Sequence, residues 1–321
     1  MLRSMFAGVS GLRNHQIRMD VIGNNIANVN TYGFKSSRVT FQEMYAQTMQ
    51  AASGPSGALG GINPKQIGLG MATASVDVLQ DVGGNQTTDR PLDLCLEGDG
   101  FFRVMQEDKA FYTRTGNFYV DPNGYLVTSS GMYVQGLQFL DVSSIEDENG
   151  RISEAIKEVW GEDARIKPID AEEVLGADDG PYQIAPFDPE SPDDFVLGRI
   201  VIPPGYHSIA IGQDGLIKAI DHEGVLVNIG MITVTNFITP DGLNRVGSNL
   251  YQESANSGAP SESLAGFGEA GTMKSGSLEM SNVDLSKEFT DMIITQRGFQ
   301  ANSRIITVSD TLLEELVNLK R

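Results

Sequence analysis

The sequence predicts an α+β multidomain chain with discontinuous, nested domains: its two ends form helices that pair, and its middle forms an all-β domain. Three observations carry this expectation. Both ends repeat apolar residues with alternating spacings of four and three. The period changes to two near residue 72. A strongly acidic stretch then splits the β pattern into two pieces.

From Val283 to Arg321 the 4-3 series runs Leu285, Phe289, Met292, Gln296, Phe299, Ser303, Ile306, Asp310, Leu313 and Val317, and seven of these ten are apolar. With no proline and only Gly298 as a breaker, one helix of about 55 Å is expected. Ser281, Asn282 and Asp284 stand where an N-cap belongs. At the other end Leu2, Met5, Val9, Leu12, Gln16, Met19, Gly23 and Ile26 repeat the spacing. Two such stripes are expected to meet as a coiled coil.

Residues 24–34 are dense in asparagine, which trades backbone hydrogen bonds for side-chain ones and so ends helices and builds turns. Gly33 supplies a residue free to take positive φ at the exit. Helical spacing resumes over Ser36 to Gln50 through Val39, Met44 and Met49. Ala51 to Gly70 and Gly258 to Gly276 are glycine-rich and are expected to act as joints. From Ala72 short alternating runs begin, including 75–79, 92–96, 101–105, 118–120 and 125–127. Asp121-Pro122-Asn123-Gly124 is expected to turn a hairpin. Similar runs resume at 199–202, 208–211, 216–218, 225–227 and 231–234.

Between them, residues 141–197 hold 17 Asp and Glu against 4 Lys and Arg, most of the chain's net charge of -19. The expected domains are therefore 1–30 with 283–321 (helical), 31–71 with 260–282 (connector), 72–140 with 198–259 (all-β), and 141–197 (acidic insertion or small outer subdomain).

The charge balance excludes a basic nucleic-acid-binding face and disfavours anionic membrane surfaces. No apolar run of about 18 residues exists to span a membrane, and Arg13, Asn14, His15 and Arg18 interrupt any Sec-type signal segment. One cysteine, Cys95, excludes an internal disulfide. Those features alone would place the chain in the cytoplasm. Catalytic and metal motifs are missing. Glu97-Gly98-Asp99-Gly100 lacks EF-hand spacing, His15, His207 and His222 have no ligand spacing, and the glycine-rich runs lack a phosphate-loop ending. No enzyme activity, cofactor or metal is expected; a soluble enzyme or binding module with a helical stalk is the reading from a different class.

The segment from Met19 to Lys35, with Asn24, Asn25, Asn28, Asn30, Gly33 and Phe34, resembles the N-terminal signature of the bacterial flagellar rod and hook proteins. Met280 to Leu285 and Gln296 to Asn302 resemble that family's C-terminal end. Glu97 to Phe102, Tyr112 to Phe118 and Asp241 to Tyr251 resemble its β domain. Asn30 to Lys35 and the ending Leu316 to Arg321 incline the resemblance toward a short, Gram-positive-like hook type, with the distal rod type as the alternative.

The resemblance implies a structural subunit that polymerises into a hollow, flexible helical tube passing torque from rod to filament. Its partners would be further copies of itself, the distal rod, hook cap and hook-filament junction proteins, and the flagellar type III export apparatus. It implies an extracellular place in the flagellum, reached without a cleaved signal peptide, which replaces the cytoplasmic expectation. Leu2, Met5, Val9, Leu12, Leu285, Phe289, Met292, Phe299, Ile306 and Leu313 are then the residues expected to carry self-assembly.

Overall fold

A computed structural model describes residues 2–55, 60–107, 109–138, 198–202, 206–220, 224–268 and 270–319. The acidic stretch 141–197 and Gly57 lie outside the described residues. The described chain forms two compact units. The first holds Met1–Val29, Lys35–Leu79 and Val283–Arg321, and the second holds Asn30–Phe34 and Gln80–Asn282.

The first unit contains helices α1 (Leu2–Ala27) and α2 (Leu285–Asn318) with strands β1 (Ser37–Glu43), β2 (Ala46–Gln50), β3 (Lys65–Gly68) and β4 (Met71–Val78). Helix α2 starts at an Asp284 cap, whose carboxylate accepts from the Ser286 and Lys287 amides at 2.9 and 3.4 Å. That satisfies two of the donors a helix start leaves open. β1 pairs antiparallel with β4, and β2 with β3.

Ser36 to Gln50 is therefore strand rather than helix. Val39-Thr40-Phe41 is β-branched and aromatic, and its backbone groups find partners across the ladder on β4, which outweighs a sparse helical period. Ala51 to Gly70, expected as a joint, contains β3 and a bridge between Ser53 and Ile62. Met71–Val78, expected at the edge of the β domain, belongs to the first unit through its pairing with β1.

Helix α1 lies on the β1–β4 pair through polar side chains. Asn14 donates to the Met71 carbonyl at 2.6 Å and accepts from the Thr73 hydroxyl at 2.9 Å. Asn25, 1 % exposed, donates to the Ser37 carbonyl at 2.8 Å and accepts from the Ser37 amide at 3.0 Å. It thereby presents to β1 what a neighbouring backbone would present.

The second unit is nearly all strand: β5 (Asn85–Thr87), β6 (Leu94–Glu97), β7 (Phe101–Gln106), β8 (Lys109–Thr113), β9 (Phe118–Val120), β10 (Leu126–Thr128), β11 (Tyr133–Gln138), β12 (Gly198–Arg199), β13 (His207–Ile211), β14 (Leu216–Ile220), β15 (Leu226–Asn236), β16 (Asn244–Gly247), β17 (Leu250–Gln252), β18 (Ser261–Leu264), β19 (Thr272–Ser275) and β20 (Ser277–Glu279). A long antiparallel path runs β13-β14-β15-β11-β7-β8-β17-β16, and β9–β10, β12 and β18 attach beside it. The 260–282 segment, expected as connector, contributes β18, β19 and β20 to this unit. They pair with β15, β6 and β5 respectively. The Asp121 turn joins β9 to β10 with Gly124 at φ 87 and the Asp121 carboxylate accepting from the Asn123 and Tyr125 amides.

The core joins both sequence pieces of the unit: Leu94, Leu96, Phe102, Phe118, Leu126 and Val134 from the first pack with Ile217, Ile229, Ile232 and Met273 from the second. Beside it a buried ion pair links Arg114 to Glu279 at 3.6 Å, with the guanidinium set over the Phe101 ring. Burial pulls the Arg114 guanidinium below its usual value, and Glu279 and then Asp99 hold it up. Glu279 also accepts from the Gly83 amide through its side chain, and its carbonyl accepts from Gly33.

Gly33 has φ 64, and a Cβ there would meet Thr115 Oγ1 at 2.9 Å and the Thr115 amide at 3.0 Å. Gly33→Ala should destabilise the second unit by about 1–3 kcal/mol through left-handed strain and this contact, measured as an earlier urea transition. Glu279→Gln strands a buried guanidinium and should cost about 3–5 kcal/mol. The double change Arg114→Met with Glu279→Leu should recover most of that loss in the same assay.

Candidate self-assembly surface

The two terminal helices run antiparallel along one seam. Gly8 faces Ile306, Gly11 faces Asn302, His15 faces Gly298, Arg18 bonds Asp291 at 3.0 Å and Asn25 bonds Glu288 at 3.0 Å. A Cβ on Gly11 would meet the Asn302 amide at 2.7 Å, and one on Gly298 would meet the His15 ring at 2.8 Å. Side chains on one helix thus sit against bare backbone on the other. Burial holds Glu288 above the usual carboxylate range, and the Asn25 hydrogen bond opposes this.

This seam overlaps the stripe expected from the sequence only in part, with Ile306 facing Gly8. On α1 the inward series is Gly8, Gly11, His15, Arg18, Ile22 and Asn25. Each member lies one residue before the expected Val9, Leu12, Gln16, Met19, Gly23 and Ile26, a turn of about 100° on the helix surface. On α2 the expected Met292, Phe299, Ile306 and Leu313 are half-buried. The flank beside them is Glu288, Thr295, Asn302 and Ser309, one residue before the expected Phe289, Gln296, Ser303 and Asp310. Thr295 is 0 % exposed and Ser309 6 %. Their hydroxyls donate to the carbonyls of Asp291 and Ile305, four residues back, at 2.7 and 2.8 Å. Small residues with internally satisfied hydroxyls let the helix axes approach. An apolar stripe of Val, Leu and Phe would hold them apart.

The displaced apolar residues face outward. Phe289 is 50 % exposed, and Leu285, Ile293, Ile294, Ile305, Val308, Leu312, Leu316, Val317 and Leu319 are exposed on α2. On α1, Phe6 is 70 % exposed and Val9 is exposed too, while Met5 and Leu12 are half-buried; Leu2 lies in α1. By the antiparallel register Phe6 and Val9 lie at the same end of the pair as Ile305 and Val308. Phe6 was missed by sequence reasoning because it falls outside the 4-3 series. Exposed apolar residues in this number, along both helices, form a candidate interaction surface.

The asparagine motif divides between the units. Asn24 and Asn28 cap the end of α1, with the Asn28 amide donating to the Asn24 carbonyl and side-chain oxygen at 2.9 and 2.7 Å. Asn25 fills the node described above. Asn30 is exposed within Asn30–Phe34, which belongs to the second unit. There the Tyr32 carbonyl accepts from Asn249 at 2.9 Å, and Phe34 is buried beneath the Arg245 guanidinium.

Among the described residues no cluster of His, Cys, Asp or Glu is arranged to hold a metal, and no helix is long and apolar enough to cross a membrane. Burial pushes the Cys95 thiol up to about 11, and Glu279 and Glu97 push the same way. Its sulfur donates to Asn85 Oδ1 at 3.0 Å. At neutral pH it is a protonated, inert thiol.

The first unit thus holds two terminal helices closed on a largely polar seam, with apolar residues exposed. Family models place the chain. Residues 5–35 match the flagella basal body rod protein model, 95–219 the flagellar hook protein FlgE/F/G D1 domain, and 274–319 the flagellar basal body rod FlgEFG protein C-terminal model. The chain is 43 % identical over 322 residues to the flagellar basal-body rod protein FlgG of Bacillus subtilis, with all of both chains covered. It is 33 % identical over 441 residues to the flagellar hook protein FlgE of Borreliella burgdorferi and 30 % over 327 residues to the FlgG rod protein of the same organism, again with both chains fully covered. The chain belongs to the flagellar hook and rod protein family, whose members are structural proteins of the flagellum and not enzymes.

The seam makes a direct prediction. Thr295→Leu should overpack it and destabilise the helix pair by about 1–3 kcal/mol, whereas Phe289→Ser should change it by no more than about 0.5 kcal/mol. Thermal melts followed by far-ultraviolet circular dichroism separate the two.

Proposed function

We propose that this chain is a hook subunit that polymerises into a flexible hollow tube between rod and filament. The observation that carries the choice is the comparison within one organism. Against Borreliella burgdorferi, which supplies both kinds of relative, identity is 33 % to the hook protein and 30 % to the rod protein. The distal rod reading has its own support in the 43 % identity to the Bacillus subtilis rod protein. In either case the terminal helices pair further into a coiled-coil array, with domains nested outward from the termini.

In the polymer the exposed apolar residues of α1 and α2 are covered by neighbouring copies, a heterologous contact repeated along an axis without closing. Leu2, Met5, Val9, Leu12, Leu285, Phe289, Met292, Phe299, Ile306 and Leu313 contribute to this contact, together with Phe6, Ile305, Val308 and Leu312. The partners are further copies, the distal rod protein, the hook cap and the hook-filament junction proteins. The subunit reaches the flagellum through the type III export apparatus without a cleaved signal peptide.

Two experiments test this. Replacing Ile305, Val308 and Leu312 with serine should leave the β unit's unfolding transition unchanged and abolish polymerisation, read by sedimentation. Polymers of normal yield would overturn the assembly surface. Immunogold labelling of an epitope-tagged chain on purified hook-basal bodies should decorate the hook; label confined to the rod establishes the alternative.

A further inference from the structure

The α1–α2 seam contains one titratable group whose surroundings suit only its neutral form. His15 sits where Gly298 leaves room for its ring, and its edge meets Phe41 of β1 at a centroid distance of 5.9 Å. Its Nδ1 is buried with no hydrogen-bond partner. The charged group acting on it is Arg18, one turn along α1. Across the seam α2 brings Gly298 to the ring and Asp291 to Arg18, and Asp291 is engaged there at 3.0 Å. β1 brings the Phe41 ring.

A second proton on this imidazole would create a buried N–H donor with no acceptor. It would also place a new cation beside Arg18. The half-buried ring lies between Gly298 and Phe41, and α2 moving off α1 would bring water to its buried Nδ1.

We propose that His15 is a pH-sensitive latch on the terminal helix pair: neutral, it permits closure, and protonated, it opens the seam. Burial, and then Arg18, lower its proton affinity in the closed pair relative to the unfolded chain. Between the ordinary histidine value of about 6.5 and the lower closed value, the open chain therefore binds more protons. The stability that the neutral ring contributes is present above this window and is lost as pH falls through it. The inference concerns the helix pair itself and holds whether the subunit belongs to hook or rod.

The test uses the full chain with spin labels at Arg13→Cys and Gln300→Cys, both exposed on the pair, while the native Cys95 is buried. The expected result is a short inter-label distance at neutral pH that gives way to a long one as pH falls below about 6.5. His15→Gln and His15→Phe should each remove that transition while keeping the short distance at neutral pH. The two replacements differ in polarity and shape, so one folded variant suffices. A proton-resonance titration assigned by loss of the signal in His15→Gln should place His15 below the ordinary histidine value of about 6.5. A distance that does not change with pH in the parent, or the same transition in a folded variant, would overturn the latch.

Discussion

The first unit depends on one buried amide. Asn25 satisfies both backbone groups of Ser37 and the Glu288 carboxylate at once, so a single side chain ties α1 to β1 and α1 to α2. The amide supplies two N–H donors and one carbonyl acceptor on a short stem, where a Ser or Thr hydroxyl has a single donor. Asp has no donor for the Ser37 carbonyl or for Glu288, and an apolar residue would forfeit all three part-buried hydrogen bonds. Because β1 is held in turn by β4, the node fixes which residues of α1 face the sheet. That leaves one remaining face for α2.

This constraint explains why the helix pair is closed by glycine, threonine and serine while leucine and isoleucine point outward. With Asn14 and Asn25 committed to the strands, the α1 face left for α2 is Gly8, Gly11, His15 and Arg18. A face of that kind gives close backbone approach and little apolar burial. The pair therefore gains from van der Waals contact and a few polar bonds, and forgoes the burial of its largest side chains. An outward Phe or Leu costs little while hydrated, and is worth about 25 cal/mol per Å2 when another surface covers it. The free energy that a self-contained hairpin would spend on its own fold stays available for association.

Much of this architecture was legible in the sequence, and the failures are instructive. The Asp284 cap, the Asp121 hairpin and the need for glycine at 33 are local signals, and each is realised locally, whereas strands begin at Ser37, well before the expected change of period at residue 72. The helix seam was not legible, because the 4-3 rule scores apolar residues while the seam consists of small and polar ones. Asn25 and Thr295 could have been found only by asking which polar residues a helix can bury with every group satisfied. Ser36 to Gln50 was misread because its strand character comes from a partner some thirty residues on, at 71–78. Of the expected stripe, Leu285, Phe289 and Val9 are exposed, and Met5, Leu12, Met292, Phe299, Ile306 and Leu313 are half-buried.

The β unit is fixed by a different kind of interaction, and the contrast bears on function. Arg114 and Glu279 are buried together, and the Glu279 backbone and side chain also hold Gly33 and Gly83. A buried ion pair adds little net stability, because desolvation of both charges offsets their attraction, yet it penalises every arrangement in which the two are separated. It therefore secures the relative placement of Asn30–Phe34, the turn after β8 and the end of β20 within that unit. Among the described residues the helix pair has no comparable lock. Its cross-seam ion pair, Arg18 with Asp291, is partly exposed and correspondingly weak. A chain whose β unit is specified by buried charge, and whose helix pair is held by small residues and a single amide node, keeps its adaptability in the helix pair.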